Sequence, residues 1–253
     1  GNVDYDRVQS FSAADYAFML SYARKIDTIK GLSVGGNAKV IYRHIGEFGQ
    51  GWGFGIDLSA RYVRNKWKIG AMFRDASSTI TQFSYNTETF RVIFAQTGNE
   101  VISSSTEIAV PRLMLAGARR FDLPWNLSVQ PELQMVMTTD GRRNVLVGTD
   151  VLSVDPSFGL EFGYKDLLFL RGGVGRFQYL KEVTAGGGYD GKALTLLPTA
   201  GIGFRIKAFT VDYALANFGN SFMGLSHVFS LRLDFHKAGK KEADESTETN
   251  LRP

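Results

Sequence analysis

Cysteine is absent from the 253 residues, so the chain builds no disulfide framework and no thiolate metal site. Nowhere does it carry the roughly 18 consecutive apolar residues that a transmembrane helix needs. Its first residues, GNVDYDRVQS, lack the basic, then apolar, then small-residue layout of a secretion signal, so either a signal was removed or the chain starts late. No stretch reads as a long amphipathic helix. Basic residues are scattered and the formal charge is only +4, which gives no stripe for nucleic acid. The three histidines, His44, His227 and His236, lie far apart without metal-ligand spacing and suit a rim or a lipid interface. Neither GGVG at 172–175 nor GGGYDG at 186–191 has the Lys-Ser/Thr ending of a phosphate loop or a helix after it. The first reads as strand glycines that let a wall bend, the second as a loop tip. No carboxylate pair or Ser/His/Asp set stands out. The expectation is a protein that is not an enzyme, with no metal and no cofactor.

What the chain has is alternation. Hydrophobic residues make up 44% of it, which excludes disorder over most of its length, and 28 glycines accompany 13% aromatics. About eleven segments alternate apolar and polar residues: 14–24, 32–45, 52–64, 67–74, 108–120, 126–138, 156–164, 167–178, 195–206, 208–217 and 226–235. Strand side chains repeat every two residues, so each segment has two unlike faces. In 156–164, Phe158, Leu160, Phe162 and Tyr164 oppose Ser157, Gly159, Glu161 and Gly163. In the last segment His227, Phe229, Leu231, Leu233 and Phe235 oppose Ser226, Val228, Ser230, Arg232 and Asp234. A soluble sandwich also alternates, but its solvent face is rich in Lys, Glu and Thr. Here the second face is glycine and serine mixed with single charges, which suits a crowded polar lumen. Phe162, Phe229, Leu231 and Leu233 are expected to face lipid. Asp57, Arg61, Glu161, Arg171, Arg205, Asp212 and Arg232, with Asp15, Lys39, Arg43 and Glu132, are expected to line the lumen and to pair there as structural ion pairs. Trp52, Tyr62, Trp67, Trp125 and Tyr164, at the ends of apolar faces, suit interfacial girdles.

The connections alternate too. Asn65-Lys66, Phe121 to Trp125, Lys165-Asp166 and the corner at Lys207 are short, whereas 46–51, 75–107, 139–155, 179–194 and 218–225 are longer; 25–31 belongs to the short set by position although its length is intermediate. Outer-membrane barrels have short periplasmic turns on one rim and longer external loops on the other. The expected fold is therefore all-β, a transmembrane antiparallel barrel, with residues 1–235 forming its C-terminal portion. With the last strand descending to the periplasm, an even strand number asks for an odd number of strands upstream, so the edge at 14–24 is expected to pair with preceding chain.

Several stretches carry a family resemblance: DYAFMLSYARKI with LSVGGNAKVIYR, GWGFGIDLSARY, WKIGAMFRDASSTITQFSYN, TGNEV, LPTAGIGFRIKAFTVDYAL and SHVFSLRLDF. Together they resemble the PorV/PorQ family of Bacteroidota outer-membrane proteins, in particular a PorV-like branch, over nearly all of 14–235. The resemblance implies a FadL-like barrel of roughly 14 strands, a place in the Gram-negative outer membrane and an association with the type IX secretion system. Its partners would be a larger outer-membrane translocon or assembly complex, or secreted cargo, with outer-membrane lipid around the wall. The alternative is a FadL-type channel for hydrophobic solutes, which would need an apolar lumen pocket.

Two stretches remain. The connection 75–107 holds Ile80, Phe83, Tyr85, Phe90, Val92, Ile93 and Phe94, too apolar for disorder, and ETFRVIFAQTG within it could form a short amphipathic helix. It is expected to cap the barrel mouth or, with 46–51 and 179–194, to dock a partner through Phe83, Tyr85, Phe90 and Phe94. Residues 236–253 have few large apolar side chains and read as a disordered periplasmic tail.

Overall fold

The computed structural model describes residues 12–88, 91, 103–141, 143–183, 189–216 and 225–234, leaving aside the side chains of 180–193. Among the described residues fifteen strands join into one sheet. They are β1 (Ala13–Lys25), β2 (Leu32–Ile45), β3 (Gly49–Arg64), β4 (Trp67–Arg74), β5 (Thr79–Tyr85), β6 (Ser104–Ala109), β7 (Arg112–Arg119), β8 (Phe121–Leu123), β9 (Leu127–Thr138), β10 (Val147–Gly148), β11 (Ser153–Tyr164), β12 (Leu168–Val183), β13 (Tyr189–Ile206), β14 (Phe209–Ala216) and β15 (Ser226–Leu233). The fold is all-β, and its main path runs β1-β2-β3-β4-β7-β9-β11-β12-β13-β14-β15, eleven strands with every neighbour antiparallel. Among the described residues β1 pairs only with β2 and β15 only with β14, so the sheet is not closed.

The register gives the sheet its two faces. Following one row across it, Phe18 stands opposite Val40 and Val40 opposite Phe54; on the far side Phe162 stands opposite Leu170, Leu170 opposite Ile202, Ile202 opposite Tyr213 and Tyr213 opposite Phe229. All eleven strands place most of their apolar residues on this one face; Met19, Ile41, Met72, Met114, Val136 and Phe169 lie on the other. The other face carries Asp15, Arg43, Lys39, Asp57, Arg61, Lys68, Arg112, Glu132, Glu161, Arg171, Arg205, Asp212 and Arg232, spaced by glycine, alanine, serine and threonine.

Two connections differ from the sequence expectation. Residues 79–85 and 104–107, expected inside the loop 75–107, belong to the strands β5 and β6, and the expected strand 108–120 is divided between the end of β6 and β7. β5 runs on from β4 after a break at 75–78 and pairs with the far end of β3, while β6 leads through 110–111 into β7. The alternation of TITQFSY is genuine, but it places Thr79, Thr81 and Phe83 on the polar face, so the stretch reads as apolar loop rather than wall. Likewise 49–51 belong to β3, while 179–183 and 189–194 belong to β12 and β13, so the turn at 46–48 is tighter than expected. Of ETFRVIFAQTG, only Glu88 and Arg91 fall among the described residues; their side chains pair at 3.6 Å.

A glycine row makes room for β5. Gly51, Gly53 and Gly55 of β3 lie on the polar face beneath Phe83, Thr81 and Thr79. A Cβ at Gly51 would stand 2.7 Å from the Phe83 ring. Gly51→Val is therefore expected to destabilise the folded wall by about 1–3 kcal/mol through overpacking. Gly70→Ala, at a glycine with no heavy atom within 4 Å of the added carbon, is expected to leave the urea midpoint in detergent within about 0.5 kcal/mol of the parent.

Candidate functional site

The polar face is the chain's candidate site, and two charge clusters organise it. The first is built by the break at 75–78. There Asp75 and Ser78 take left-handed backbone (φ 56° each), the Ala76 amide donates to the Ile56 carbonyl at 2.8 Å, and the Asp75 amide donates to Asp57 Oδ1 at 2.9 Å. The turn buries Asp75 beside Asp57, and Lys39 from β2 answers both. Its Nζ donates to Asp57 Oδ1 at 2.7 Å and also to Asp75 Oδ1. Thr79 Oγ1 donates to Asp75 at 2.6 Å, and Arg112 from β7 reaches its other oxygen at 3.2 Å. Lys39, Asp57, Asp75 and Thr79 are all buried. One cation between two carboxylates, with a hydroxyl and a guanidinium completing the acceptors, is a satisfied buried network, so it fixes geometry.

The second cluster spans β11 to β14. Arg171 donates through Nε to Glu161 Oε2 at 2.6 Å and through Nη1 to Asp212 Oδ1 at 2.5 Å. Asp212 lies two strands from Arg171, and Gly203 on the strand between clears the path: a Cβ there would stand 2.7 Å from Arg171 Nη1. Arg171 and Arg205 both lie over the Phe169 ring, at 5.4 and 4.8 Å from its centroid. Elsewhere on this face Lys68 donates to Gln130 at 2.5 Å, again across an intervening strand, and Arg43 holds Glu107 at 2.8 Å with Asp15 at 3.7 Å. Arg232 holds Asp234 at 3.2 Å, and Arg61 faces Ser33 on one side and Gly70 on the other.

The rims differ in chemistry. Where the short turns gather, Arg120 bridges Asp122 and Asp166 at 2.7 Å each, and Lys66 holds Asp122 at 2.9 Å, tying three turns together. The Lys66 ammonium, followed by Arg120, holds the Asp122 carboxyl below its usual range. Tyr62, Trp67, Trp125 and Tyr164 belong to this rim, Arg119 lying 5.1 Å over Trp67 and Lys165 5.2 Å over Tyr164. At the opposite rim Tyr16, Tyr42 and Trp52 form a row with centroids 6.2 and 4.7 Å apart. His44 and His227 lie at that rim, Nδ1 of His227 sharing a hydrogen with the Tyr213 hydroxyl at 2.8 Å; His236 lies outside the described residues.

Of the four aromatic anchors expected on the 75–107 connection, Phe83 is 6% exposed and seated on Gly51. Tyr85 stacks on it at 6.2 Å, its hydroxyl 2.8 Å from Ser105 Oγ. Both rings are engaged in the wall itself, because β5 turns them toward β3. Phe90 and Phe94 lie outside the described residues. The charged and hydroxyl residues of this face that sequence reasoning missed include Asp75, Thr79 and Arg112, and also Lys68 and Glu107. Asp75, within FRDASS at 73–78, carried the one available signal, a turn-forming residue breaking an alternating run.

No family model matches this chain, and no curated protein matches it. Among solved structures it is similar to the beta domain of the Bordetella autotransporter Brka, with 16% identity, 88% of this chain and 91% of that chain covered, and a TM-score of 0.46. A likeness at that level carries no functional argument; the two faces are defined by the register and burial of this chain alone.

Removing the central cation tests the first cluster. Lys39→Met would leave two buried carboxylates side by side, and the expected loss is about 3–5 kcal/mol of folding stability, read from the shift of the denaturation midpoint in detergent. Asp15→Asn, at an exposed partner 3.7 Å from Arg43, is expected to shift it by less than about 1 kcal/mol.

Proposed function

We propose that this chain is the wall of an outer-membrane β-barrel whose apolar face meets lipid and whose charged face lines the lumen. The observation that carries the reading is inverted burial. Among the described residues the buried side chains are chiefly polar: Lys39, Asp57, Asp75, Thr79, Thr81, Ser128, Thr138, Ser153 and Thr210, against Phe83, Ala118 and Phe169. The open face is apolar, with Leu20 81% exposed, Phe229 77%, Phe18 65% and Leu231 64%. In water such a surface would be an aggregation site far beyond what a soluble protein carries; in hydrocarbon it is the favourable one.

The dimensions agree. From the aromatic row at Trp52 to Tyr62 on β3 the strand rises about 33 Å, which at a tilt near 40° gives an apolar band of about 25 Å, the height such barrels present to the membrane. Within this reading the long-loop rim is external and the short-turn rim is periplasmic; residues 236–253, expected as a periplasmic tail, lie outside the described residues. The chain works by protein contact rather than catalysis, in a type IX secretion or related outer-membrane assembly machine, with a larger translocon or its cargo as partner. The sequence resemblance to the PorV/PorQ family supports that role. The charged lining disfavours the alternative, a FadL-type channel for hydrophobic solutes. Phe83 and Tyr85 are engaged in the wall, and the other two residues expected to dock a partner, Phe90 and Phe94, lie outside the described residues.

Arginine scanning tests the membrane face. Leu231→Arg and Phe162→Arg are expected to cost about 2–4 kcal/mol when the protein is folded into liposomes. Their effect is expected to shrink when the same proteins are held in detergent, whose headgroups and water lie closer to the face. Equal stability of parent and variants in liposomes would exclude lipid contact at these positions.

A further inference from the structure

Across the height of the membrane band the apolar face carries no charge, and charge returns to it at one end only. Among the described side chains of the eleven main strands, the charged residues of this face are three arginines, Arg24, Arg64 and Arg119, at the short-turn ends of β1, β3 and β7. Each continues an apolar run in step with its period of two. Arg64 follows Ile56, Leu58, Ala60 and Tyr62, and Arg119 follows Leu113, Leu115 and Gly117. The long-loop end of the same face presents His44, Gln50, Gln82, Thr106 and His227, with no lysine or arginine among the described side chains of its strands.

Two of the three belong to one built group. Arg64, Trp67 and Arg119 stand in a single register row across β3, β4 and β7, so the indole sits between two arginine-bearing strands. The Arg119 guanidinium carbon lies 5.1 Å from the centroid of Trp67 and 5.0 Å from that of Phe121. Ring faces attract a cation and orient it without neutralising its charge. The carboxylates of this rim are engaged elsewhere: Asp122 is held by Lys66 at 2.9 Å and by Arg120 at 2.7 Å, and Asp166 by Arg120 at 2.7 Å. Among the described residues no carboxylate forms an ion pair with Arg64 or Arg119, and both side chains are exposed. Towards the membrane band the next rows of this face are Tyr62, Ile69 and Gly117, then Ala60, Ala71 and Leu115. An added Cβ at Gly117 would have no heavy atom within 4 Å. With Ala71 and Ala60, Gly117 leaves a trough that leads from the arginine row into the apolar wall.

We infer that the row of Arg64, Trp67 and Arg119 binds the headgroup of an anionic phospholipid of the phosphatidylglycerol class in the periplasmic leaflet. The inference deepens the barrel reading and rests on it. An arginine on a lipid-facing wall lays its stem along the apolar surface and sends its charge to the interface, where it needs an anion. The two guanidinium groups donate to the phosphate oxygens through charge-assisted hydrogen bonds, the indole lies at headgroup level, and an acyl chain follows the trough past Gly117. A zwitterionic headgroup brings its own cation beside the phosphate and leaves the pair of arginines uncompensated. The arginines stand at the short-turn rim alone, which places the lipid in one leaflet.

Tryptophan quenching tests it, because Trp67 lies in the row itself. Trp52→Phe with Trp125→Phe leaves Trp67 as the one tryptophan of the chain. The full chain is reconstituted into phosphatidylcholine bilayers in which an equal fraction of either phosphatidylglycerol or phosphatidylcholine carries brominated acyl chains. Brominated phosphatidylglycerol is expected to quench Trp67 with an apparent association roughly fivefold or more above that of brominated phosphatidylcholine. That preference is expected to shrink as salt rises, and to fall within roughly twofold of parity when Arg64→Gln and Arg119→Gln are combined. Trp52 as sole tryptophan (Trp67→Phe, Trp125→Phe), at the other rim, is expected to show none. An unchanged shift between heated and unheated samples on a gel shows that each variant is folded. Equal quenching of Trp67 by the two lipids overturns the headgroup site and leaves the barrel reading standing, whereas quenching by neither contradicts the lipid-facing wall as well. A preference as large at Trp52, or one that survives high salt or the folded double arginine variant, overturns the assignment to this row.

Discussion

Strand register is the constraint on which the rest of this structure depends. Side chains on a strand alternate with a period of two, so a slip of one residue anywhere would move a whole strand's apolar set across the sheet. Here eleven strands agree: Phe18, Val40 and Phe54 share a row, as do Phe162, Leu170, Ile202, Tyr213 and Phe229. Agreement of this kind concentrates the charges on one side, where they can meet each other, and it also produces a continuous apolar surface that water would punish. Both consequences come from the same pairing.

The charges in turn hold the register. Lys39 reaches past its neighbouring strand to Asp75, and Arg171 reaches past β13 to Asp212, so a slip in the intervening strand would break both contacts. Glycines on the polar face make the reach possible: Gly203 beneath Arg171 and the row Gly51, Gly53, Gly55 beneath β5 leave the space those side chains occupy. Buried ion pairs of this sort contribute little net stability against an apolar replacement, yet breaking one partner is severe, so they specify one arrangement among several. That division suits a wall whose outer surface, uniformly apolar, has little means of choosing its own register.

Most of the wall was legible in the sequence because period-two alternation is local. The segments 14–24, 32–45, 67–74 and 126–138 fall within a residue or two of β1, β2, β4 and β9, and Phe162, Phe229, Leu231 and Leu233 share the apolar face. What could not be read is non-local. The strand β5 hid inside a supposed loop because its aromatic, Phe83, packs on glycines thirty or so residues earlier in the chain rather than facing outward. Asp75 and Arg112 could not be joined to Lys39 without knowing that the wall breaks at 75–78. The irregularity of β12 was invisible for a related reason: a bulge between Gly175 and Gln178 puts Arg176 into left-handed backbone and changes the face on which the strand continues.

The central claim is that the apolar face of β3 meets lipid and its polar face meets the lumen. The most direct measurement places single nitroxide labels at successive positions from Trp52 to Tyr62 in liposome-reconstituted protein and compares collision with oxygen and with a water-soluble nickel complex. The account predicts a period of two. Positions 52, 54, 56, 58, 60 and 62 should favour oxygen, most strongly near 56 and 58 at the middle of the band, while 53, 55, 57, 59 and 61 should not. Labels on the even positions that collide freely with the nickel complex, or that are shielded from both reagents as in a protein core, would contradict it.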